Sequence, residues 1–588
     1  MKTALQDLCM QLKAAQGTIP VDLLITNVKI VNVYTEKIIE GSIAIKNGKV
    51  VAIHPKQKLE AETIYDAQGQ YALPGFMDAH VHIETTLLTP AALASLIVPW
   101  GTTTMFVDAM EIANVAGVAG LKALLNSNEK LPYRIYSEVP SRVPTAPGLE
   151  TTGGVLGLAE VETLLAESDS VSLGELDPSK ILNVREEYLQ KILCAKEKGK
   201  IANGHAIGLN WDQLNVYAGA GLNDDHECVE FEELLQRISL GMTVMVREGS
   251  TERNVEKLMK GVIENKLHTE HLIFCTDDKH ANDITREGHI NYNVNTAISL
   301  GLNPIKAIKM ATLNCARHFR LDHLLGSITP GRFADIILTK DIHHIKPTVV
   351  FKEGQLVSKE GSLIKNVPLD SYPNFLMDTV KLPKNFSEES FSIPYENERK
   401  EAKVKVINIY PEQIINYKTE ELLQVEDGKM RLDVERDLLK LAVVERHGKD
   451  GDVGVGIVKG FGLKKGALAI SVSHDHHNIV TVGCNDKDMY IAVKELEKHG
   501  GGMAVACDGC LVDVFPLPIA GLMSNLDVNH VLEKVEGINE KVKKLGCMLP
   551  APFMTLSFIS LPTVPELGLT DKGLIDVAEH KIISLISE

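Results

Sequence analysis

Between residues 73 and 320, short apolar runs alternate with longer helical stretches, and nothing else in this 588-residue chain narrows its fold as much. Thr103-Thr104-Met105-Phe106-Val107, Ser170-Val171-Ser172-Leu173, Met242-Thr243-Val244-Met245-Val246 and Leu272-Ile273-Phe274-Cys275 are short and rich in β-branched residues. Strands buried on both faces read as continuous apolar runs. Strands alternating with helices predict parallel β/α units. Charged or polar residues follow each run, and polar groups at strand C-terminal ends are what a closed barrel presents at its mouth.

The flanks read differently. Val21–Thr26, Lys29–Tyr34, Ser42–Ile45 and Lys49–Ile53 are short β-rich runs, and Asn47-Gly48 is a hairpin dipeptide between the last two. Pro330–Leu338 returns to strand character and is placed to complete that β-module from the far side of the barrel. Residues 369–400 are rich in Pro, Asn, Ser and Glu and read as a linker. The expected division is 1–72 (first part of the β-module, with an N-terminal helix), 73–320 (barrel), 321–368 (second part), 369–400 (linker) and 401–588 (a separate α/β domain). No internal repeat or low-complexity tract interrupts it.

Sixty-one basic against 78 acidic residues give a net charge of −17. That balance lacks the footprint of a nucleic-acid binder, and an anionic membrane surface would repel it. A small neutral or cationic ligand fits better. Nine scattered cysteines suggest reduced thiols in a cytoplasmic protein. Cys507 and Cys510 form one CxxC with no second pair, which reads as a strand–turn element. The N-terminal run contains Asp7 and no long apolar core, so it is an amphipathic helix and no signal peptide. No run reaches the ~18 apolar residues that a spanning helix needs.

The chemistry begins at Pro74-Gly75-Phe76-Met77-Asp78-Ala79-His80-Val81-His82. Residues two apart on a strand share a face, so both imidazoles project together, about 7 Å apart along the backbone. That suits chelation of a metal ion by neutral nitrogens. Later strand ends carry Glu175, His205, His226 and the pair Asp277-Asp278. Together these supply N and O ligands for two divalent ions, which can share a bridging hydroxide, a strong nucleophile at neutral pH. In the last domain His474, Asp475, His476 and His477 form a dense cluster, a candidate second metal site by composition.

The segments PGFMDAHVHIE, EIANV (111–115), GHA (204–206), DHE (225–227), VREGS (246–250), CTDD (275–278), PGRFADIIL, SHDHHNIVTVG (473–483), PLPIAGLMS (516–524) and PFMTLSFISLPTVPELGLTDKG (552–573) resemble the adenine deaminase family of the amidohydrolase superfamily over nearly the whole chain. The resemblance implies a (β/α)8 barrel, a β-sandwich built from both flanks and a further C-terminal domain. It implies two divalent metal ions, manganese or iron by family habit and zinc as an alternative, and a homodimer by analogy. Carried over by motif, His80 and His82 would bind the first metal, Glu175 would bridge, His205 and His226 would bind the second, and Asp277 would ligate and take a proton. For the cluster at 474–477, resemblance to the family's SHDxHN segment implies a loop closing over the barrel mouth instead of a second metal site. The implied reaction is hydrolytic deamination of adenine to hypoxanthine and ammonia by a metal-activated hydroxide, within purine salvage. An acid must protonate the ring nitrogen next to the attacked carbon, and Glu111, Glu248 and Asp278 are the candidates.

The chain also departs from the family. Where relatives have Asp-Pro-His-Glu it reads Asp108-Ala109-Met110-Glu111, and a thioether can neither donate a hydrogen bond nor carry a proton. Asn203 stands where Asp is usual, Ile207 where Pro is, and His476 where Ser is. Two other readings remain open: an amidohydrolase acting on another purine or cyclic amide or amidine, and a non-catalytic relative.

Overall fold

The computed structural model describes residues 2–587 except 127, 370, 398, 410–415, 450, 564 and 565 (side chains 2, 3 and 129 aside), so two positions of the 552–573 motif and two of the 369–400 stretch lie outside the described residues. Eight parallel strands form the barrel: β1 Phe76–Val81, β2 Thr102–Asp108, β3 Arg134–Val139, β4 Ser170–Leu176, β5 Ile201–Gly204, β6 Asp224–Asp225, β7 Thr243–Arg247 and β8 Leu272–Cys275. Neighbours pair in chain order from β1 to β5 and from β6 to β8. The β5–β6 seam is sewn by Asn223 N–H to Ala202 O (2.8 Å) and Gly204 N–H to Asp224 Oδ1 (2.8 Å). The β8–β1 seam closes through a parallel bridge between Val81 and Asp277, with Asp277 N–H donating to His80 O at 2.9 Å.

Every residue of β1 to β5 is buried, as their continuous apolar character requires. Met77, Ala79, Phe106, Tyr136, Val171, Ile201, Met245 and Ile273 fill the barrel interior below the site, and Phe106 stacks on Phe319 at 3.8 Å. The polar ends of the strands are therefore left at the opposite, C-terminal mouth.

Strands from both flanks meet in one nine-stranded sheet, joined where Tyr71–Pro74 runs antiparallel to Ile336–Thr339. They share one core, with Ile25, Ile30, Ile43, Ile45, Leu338 and Phe351 inside it. Asn47 (φ 48°) and Gly48 (φ 73°) make the hairpin in the left-handed conformation that a tight β-turn of this kind demands.

Nine strands between Glu401 and Pro516 build a second sheet, and its strand Leu439–Val444, buried throughout, sends alternate side chains to its two faces. Ala442 and Val444 face Met489, Val493 and Leu496 of helix Asp486–His499. Leu441 and Val443 join the cluster that holds Val531, Ile538 and Val542 of helix Val528–Lys544, Leu556 of helix Pro552–Phe558, and much of the barrel's outer core. Barrel and C-terminal domain therefore share one continuous apolar core. The 369–400 stretch is more than a spacer, because Leu376, Val380 and Phe391 are buried in these clusters. Cys507 and Cys510 flank a two-residue hairpin turn, Cys507 buried and Cys510 exposed. Among the described residues, no helix is long and apolar enough to cross a membrane.

Candidate metal centre

His80 is the penultimate residue of β1 and His82 follows the strand, their rings 5.0 Å apart. Each has one nitrogen already committed. His80 Nδ1 lies 2.5 Å from Glu138 Oε2, and His82 Nδ1 lies 2.8 Å from the carbonyl oxygen of Asp108. Those contacts fix both rings with Nε2 turned inward, as metal-binding imidazoles are usually held. His80 Nε2 then faces Glu175 Oε2 (3.6 Å) and Asp277 Oδ1 (3.7 Å), and His82 Nε2 faces Asp277 Oδ1 (3.4 Å).

Glu175 is presented by β4 next to Gly174, where a Cβ would fall 2.2 Å from Asp108 Oδ2. The absence of a side chain lets β4 approach Asp108 closely enough for Glu175 N–H to donate to it at 3.3 Å. Glu175 Oε2 then lies 3.2 Å from His205 Nδ1 and 3.1 Å from His226 Nε2. One carboxylate oxygen thus stands between the two histidine pairs. Asp277 adopts φ 55°, a left-handed backbone that Asp and Asn tolerate better than most residues.

The structure brings the six ligand candidates together in overlapping triads: His80, Glu175 and His226; His80, His82 and Asp277; His205, His226 and Glu227. All are buried, and His80 Nε2 and His205 Nε2 have no hydrogen-bond partner. Seven carboxylates line the cavity (Glu111, Glu175, Glu227, Glu252, Asp277, Asp278 and Asp475) against the guanidiniums of Arg142 and Arg247. Crowding shows in the titration: burial, reinforced by Asp277, pushes Asp278 up to about 7, and burial pushes Asp108 up to about 8. Buried negative charge at this density calls for cations. The imidazole and carboxylate donors suit borderline divalent ions such as manganese, iron or zinc.

The acids suggested for ring protonation separate. Glu111 and Asp278 both line the cavity. Glu111 Oε2 lies 3.3 Å from His82 Nδ1 and its Oε1 3.6 Å from His474 Nδ1. Burial works against its ionisation, but His82 and His474 outweigh it and hold the carboxyl well below the usual range. Asp278 Oδ1 is buried without a partner. Glu248 is a correction: it leaves the cavity wall, accepts from Val255 N–H at 3.1 Å and pairs with Arg253 at 3.5 Å. Lying one residue past the end of its strand, it serves the start of helix Val255–Glu264 instead.

The 474–477 cluster does reach the mouth. His474 and Asp475 line the cavity, and the Phe558 ring lies parallel to His474 at 4.3 Å. His477 sits behind them and, with Glu111 and His474, falls within metal-like spacing. Its Nδ1 accepts from Ser473 N–H at 3.2 Å, so its Nε2 carries the hydrogen and is no ligand. His476 points elsewhere, its Nδ1 accepting from Asn478 N–H at 3.0 Å.

Four residues escaped the sequence reading. Glu138 orients His80 from β3. Glu227 lies 3.4 Å from His205 and 3.3 Å from His226. Arg247 pairs with Glu227 (2.9 Å) and Asp277 (2.5 Å), and Arg142 pairs with Glu175 and Asp475. Glu227 and Arg247 do lie inside the DHE and VREGS segments, the one signal that pointed to them.

A closed β/α barrel whose mouth gathers histidines and acids from its strand ends defines a metal-dependent hydrolase of the amidohydrolase type. Residues 71–357 match the amidohydrolase family, and residues 413–581 match the adenine deaminase C-terminal domain. An adenine deaminase of Desulforamulus reducens is 62% identical over 98% of both chains, and adenine deaminase 2 of Carboxydothermus hydrogenoformans is 41% identical over 97% of this chain and 98% of its own. The solved β-aspartyl dipeptidase of Fervidobacterium islandicum is similar at 19% identity and a TM-score of 0.46, covering 59% of this chain and 99% of its own. The chain belongs to the adenine deaminase family, whose amidohydrolase barrel implies a divalent metal.

Proposed function

We propose that the chain hydrolyses adenine to hypoxanthine and ammonia with two divalent ions, manganese first among them and iron or zinc as alternatives. It would act as a homodimer in the cytoplasm, in purine salvage. The observation that carries the reading is the 62% identity, over 98% of both chains, to a protein named adenine deaminase. The cavity agrees with it. Two divalent cations bring seven carboxylates and two guanidiniums close to balance, which favours a neutral heterocycle over an anionic cyclic amide. The Phe558 ring offers a flat wall to an aromatic base.

His80 and His82 would hold one ion, His205 and His226 the other, with Glu175 between them and Asp277 beside the first. Bound there, the ions supply Lewis acidity that brings the pKa of a water toward neutrality. Asp277 Oδ1 takes the proton which that water gives up as its oxygen bonds to C6. Asp278, with its partnerless oxygen, donates at ring N1. Asp277 passes its proton to N6, the C6–N6 bond breaks and ammonia leaves. The hydroxyl proton on C6 returns to Asp278, leaving hypoxanthine. His474 and Phe558 close the mouth and exclude bulk water.

Ammonia release from a purine panel with manganese-loaded protein tests this. Adenine is the expected substrate, and turnover of guanine or a pyrimidine with adenine inert would overturn it. Met110 lines the same cavity beside Glu111, and its thioether offers no donor to the base. Met110→His should therefore raise kcat on adenine by roughly tenfold, short of the full ~10²-fold of a well-placed acid or base. An unchanged kcat would show that Met110 is not what limits turnover.

A further inference from the structure

Two of the barrel residues that the loop Ser473 to Asn478 of the C-terminal domain touches each grip a proposed metal ligand. Asp475 Oδ2 lies 3.3 Å from Arg142 Nη1, and Arg142 Nη2 donates to Glu175 Oε1. That contact occupies one oxygen of Glu175 and leaves Oε2 facing His80, His205 and His226. On the other side, His474 approaches Glu111 Oε1 at 3.6 Å, and Glu111 Oε2 lies 3.3 Å from His82. His474, Asp475, Arg142 and Glu111 are at most 6% exposed, so these contacts act in a medium of low dielectric.

The loop is itself held from behind. Arg446 is fully buried, and among the described residues no carboxylate lies within ion-pair distance of it. Its guanidinium instead donates to His477 O, to Ala520 O at 3.0 Å and to Thr379 Oγ1 at 3.2 Å. Burying a guanidinium without an ion-pair contact is costly, and what it fixes here is the path of the histidine loop. A second clasp ties the loop to the barrel segment following Arg142: Asn478 Nδ2 donates to Thr151 O at 2.9 Å, and Thr151 N–H donates to Asp571 Oδ1 at 3.0 Å.

We propose that the C-terminal domain sets the metal affinity of the barrel, with Asp475 and Arg142 as positioning residues for Glu175 and with His474 and Glu111 as positioning residues for His82. The inference rests on the two-metal reading above. Partners behind metal ligands hold them in the binding orientation, and their loss typically weakens metal binding by about 10–100-fold. The domain is then part of the metal centre as well as its cover.

The test is a titration of chelator-stripped full-length protein with Mn²⁺ against a competing indicator, for wild type, Arg142→Lys, Asp475→Asn and the double variant. Each single substitution should weaken Mn²⁺ binding by about 10–100-fold in the folded stripped protein, while the thermal midpoint reads separately the cost of the disturbed buried pair. The double variant should be little worse than the weaker single one, because both break the same chain of contacts. Arg142→Lys keeps the charge and Asp475→Asn the shape, so failure of one to fold leaves the other to decide. Wild-type affinity in both single variants, or strictly additive losses, would overturn the proposal. A wild-type protein that takes up no Mn²⁺ would instead overturn the two-metal reading, and this inference with it.

Discussion

Glu175→Gln is expected to leave the barrel folded and to strip the site of at least one metal ion. Glu175 Oε2 lies 3.6 Å from His80 Nε2, 3.2 Å from His205 Nδ1 and 3.1 Å from His226 Nε2, placed to serve both histidine pairs. Glutamine keeps the volume and an acceptor but removes the charge that draws two cations to one side chain. It also takes the anionic partner from Arg142 Nη2 and leaves that buried guanidinium with Asp475 and the more distant Asp177. Breaking one partner of a buried pair typically costs about 3–5 kcal/mol, and about 1.4 kcal/mol is tenfold in an equilibrium constant. Metal content should fall from about two ions per chain to one or fewer, and turnover of adenine by about 10³-fold. Elemental analysis of gel-filtered protein, beside ammonia release, reads both. Two ions retained with turnover within about tenfold of wild type would remove Glu175 from the bridging role.

The barrel was legible because its strands are buried on both faces and so write continuous apolar runs. The same runs pointed to the candidate metal centre, because His80, His82, Glu175, His205, His226 and Asp277 recur at or just after their ends. His80 and His82 share a face by strand periodicity alone. Arg142 was not legible for a physical reason: it follows β3 in a loop, and its partners lie 33 and 333 residues along the chain. No local pattern encodes a contact of that span. Glu248 misled in the opposite way, because a carboxylate after a strand end serves a helix start as well as a cavity, and only the turn of the chain decides which. The His474–His477 loop was visible as a cluster, yet its members do different work. Two line the cavity, one stands behind Glu111, and one is turned away to Asn478.

The charge pattern links these details. A cavity lined by seven carboxylates cannot stand in an apolar surround without compensation. Arg142 and Arg247 supply part of it, and each is aimed at the carboxylates of the proposed ligand set rather than at solvent. Arg247 holds Glu227 with both Nη atoms, at 2.9 and 3.1 Å, and reaches Asp277 with one of them. Such forked pairing fixes the planes of the carboxylates it grips. The remaining negative charge is what the metal ions answer, so the acidic excess and the metal requirement are two sides of one design.

Asp277→Asn should be the most damaging substitution that leaves the fold nearly untouched. The backbone of Asp277 closes the barrel, its N–H donating to His80 O at 2.9 Å and its carbonyl accepting from His82 N–H at 3.3 Å. It does so at φ 55°, which asparagine accepts about as readily as aspartate. The variant should therefore add no backbone strain, its cost in stability being the weakened pair with Arg247, which keeps Glu227, whereas Asp277→Ala would add a strain of roughly 1 kcal/mol or more from the left-handed backbone. What asparagine lacks is the ability to take a proton. Asp277 Oδ1 lies 3.4 Å from His82 Nε2 and 3.7 Å from His80 Nε2, where the attacking water must lose its proton, while Oδ2 is held by Arg247. An amide leaves the water and the departing N6 without a carrier between them. Loss of a positioned general acid–base typically costs about 10²–10⁴-fold, and kcat on adenine should fall into that range with KM little changed. Ammonia release measured beside thermal unfolding separates the two effects. A kcat within about tenfold of wild type would move the proton transfer to another group, and Asp278, the next residue along and facing the same cavity, would be the first to examine.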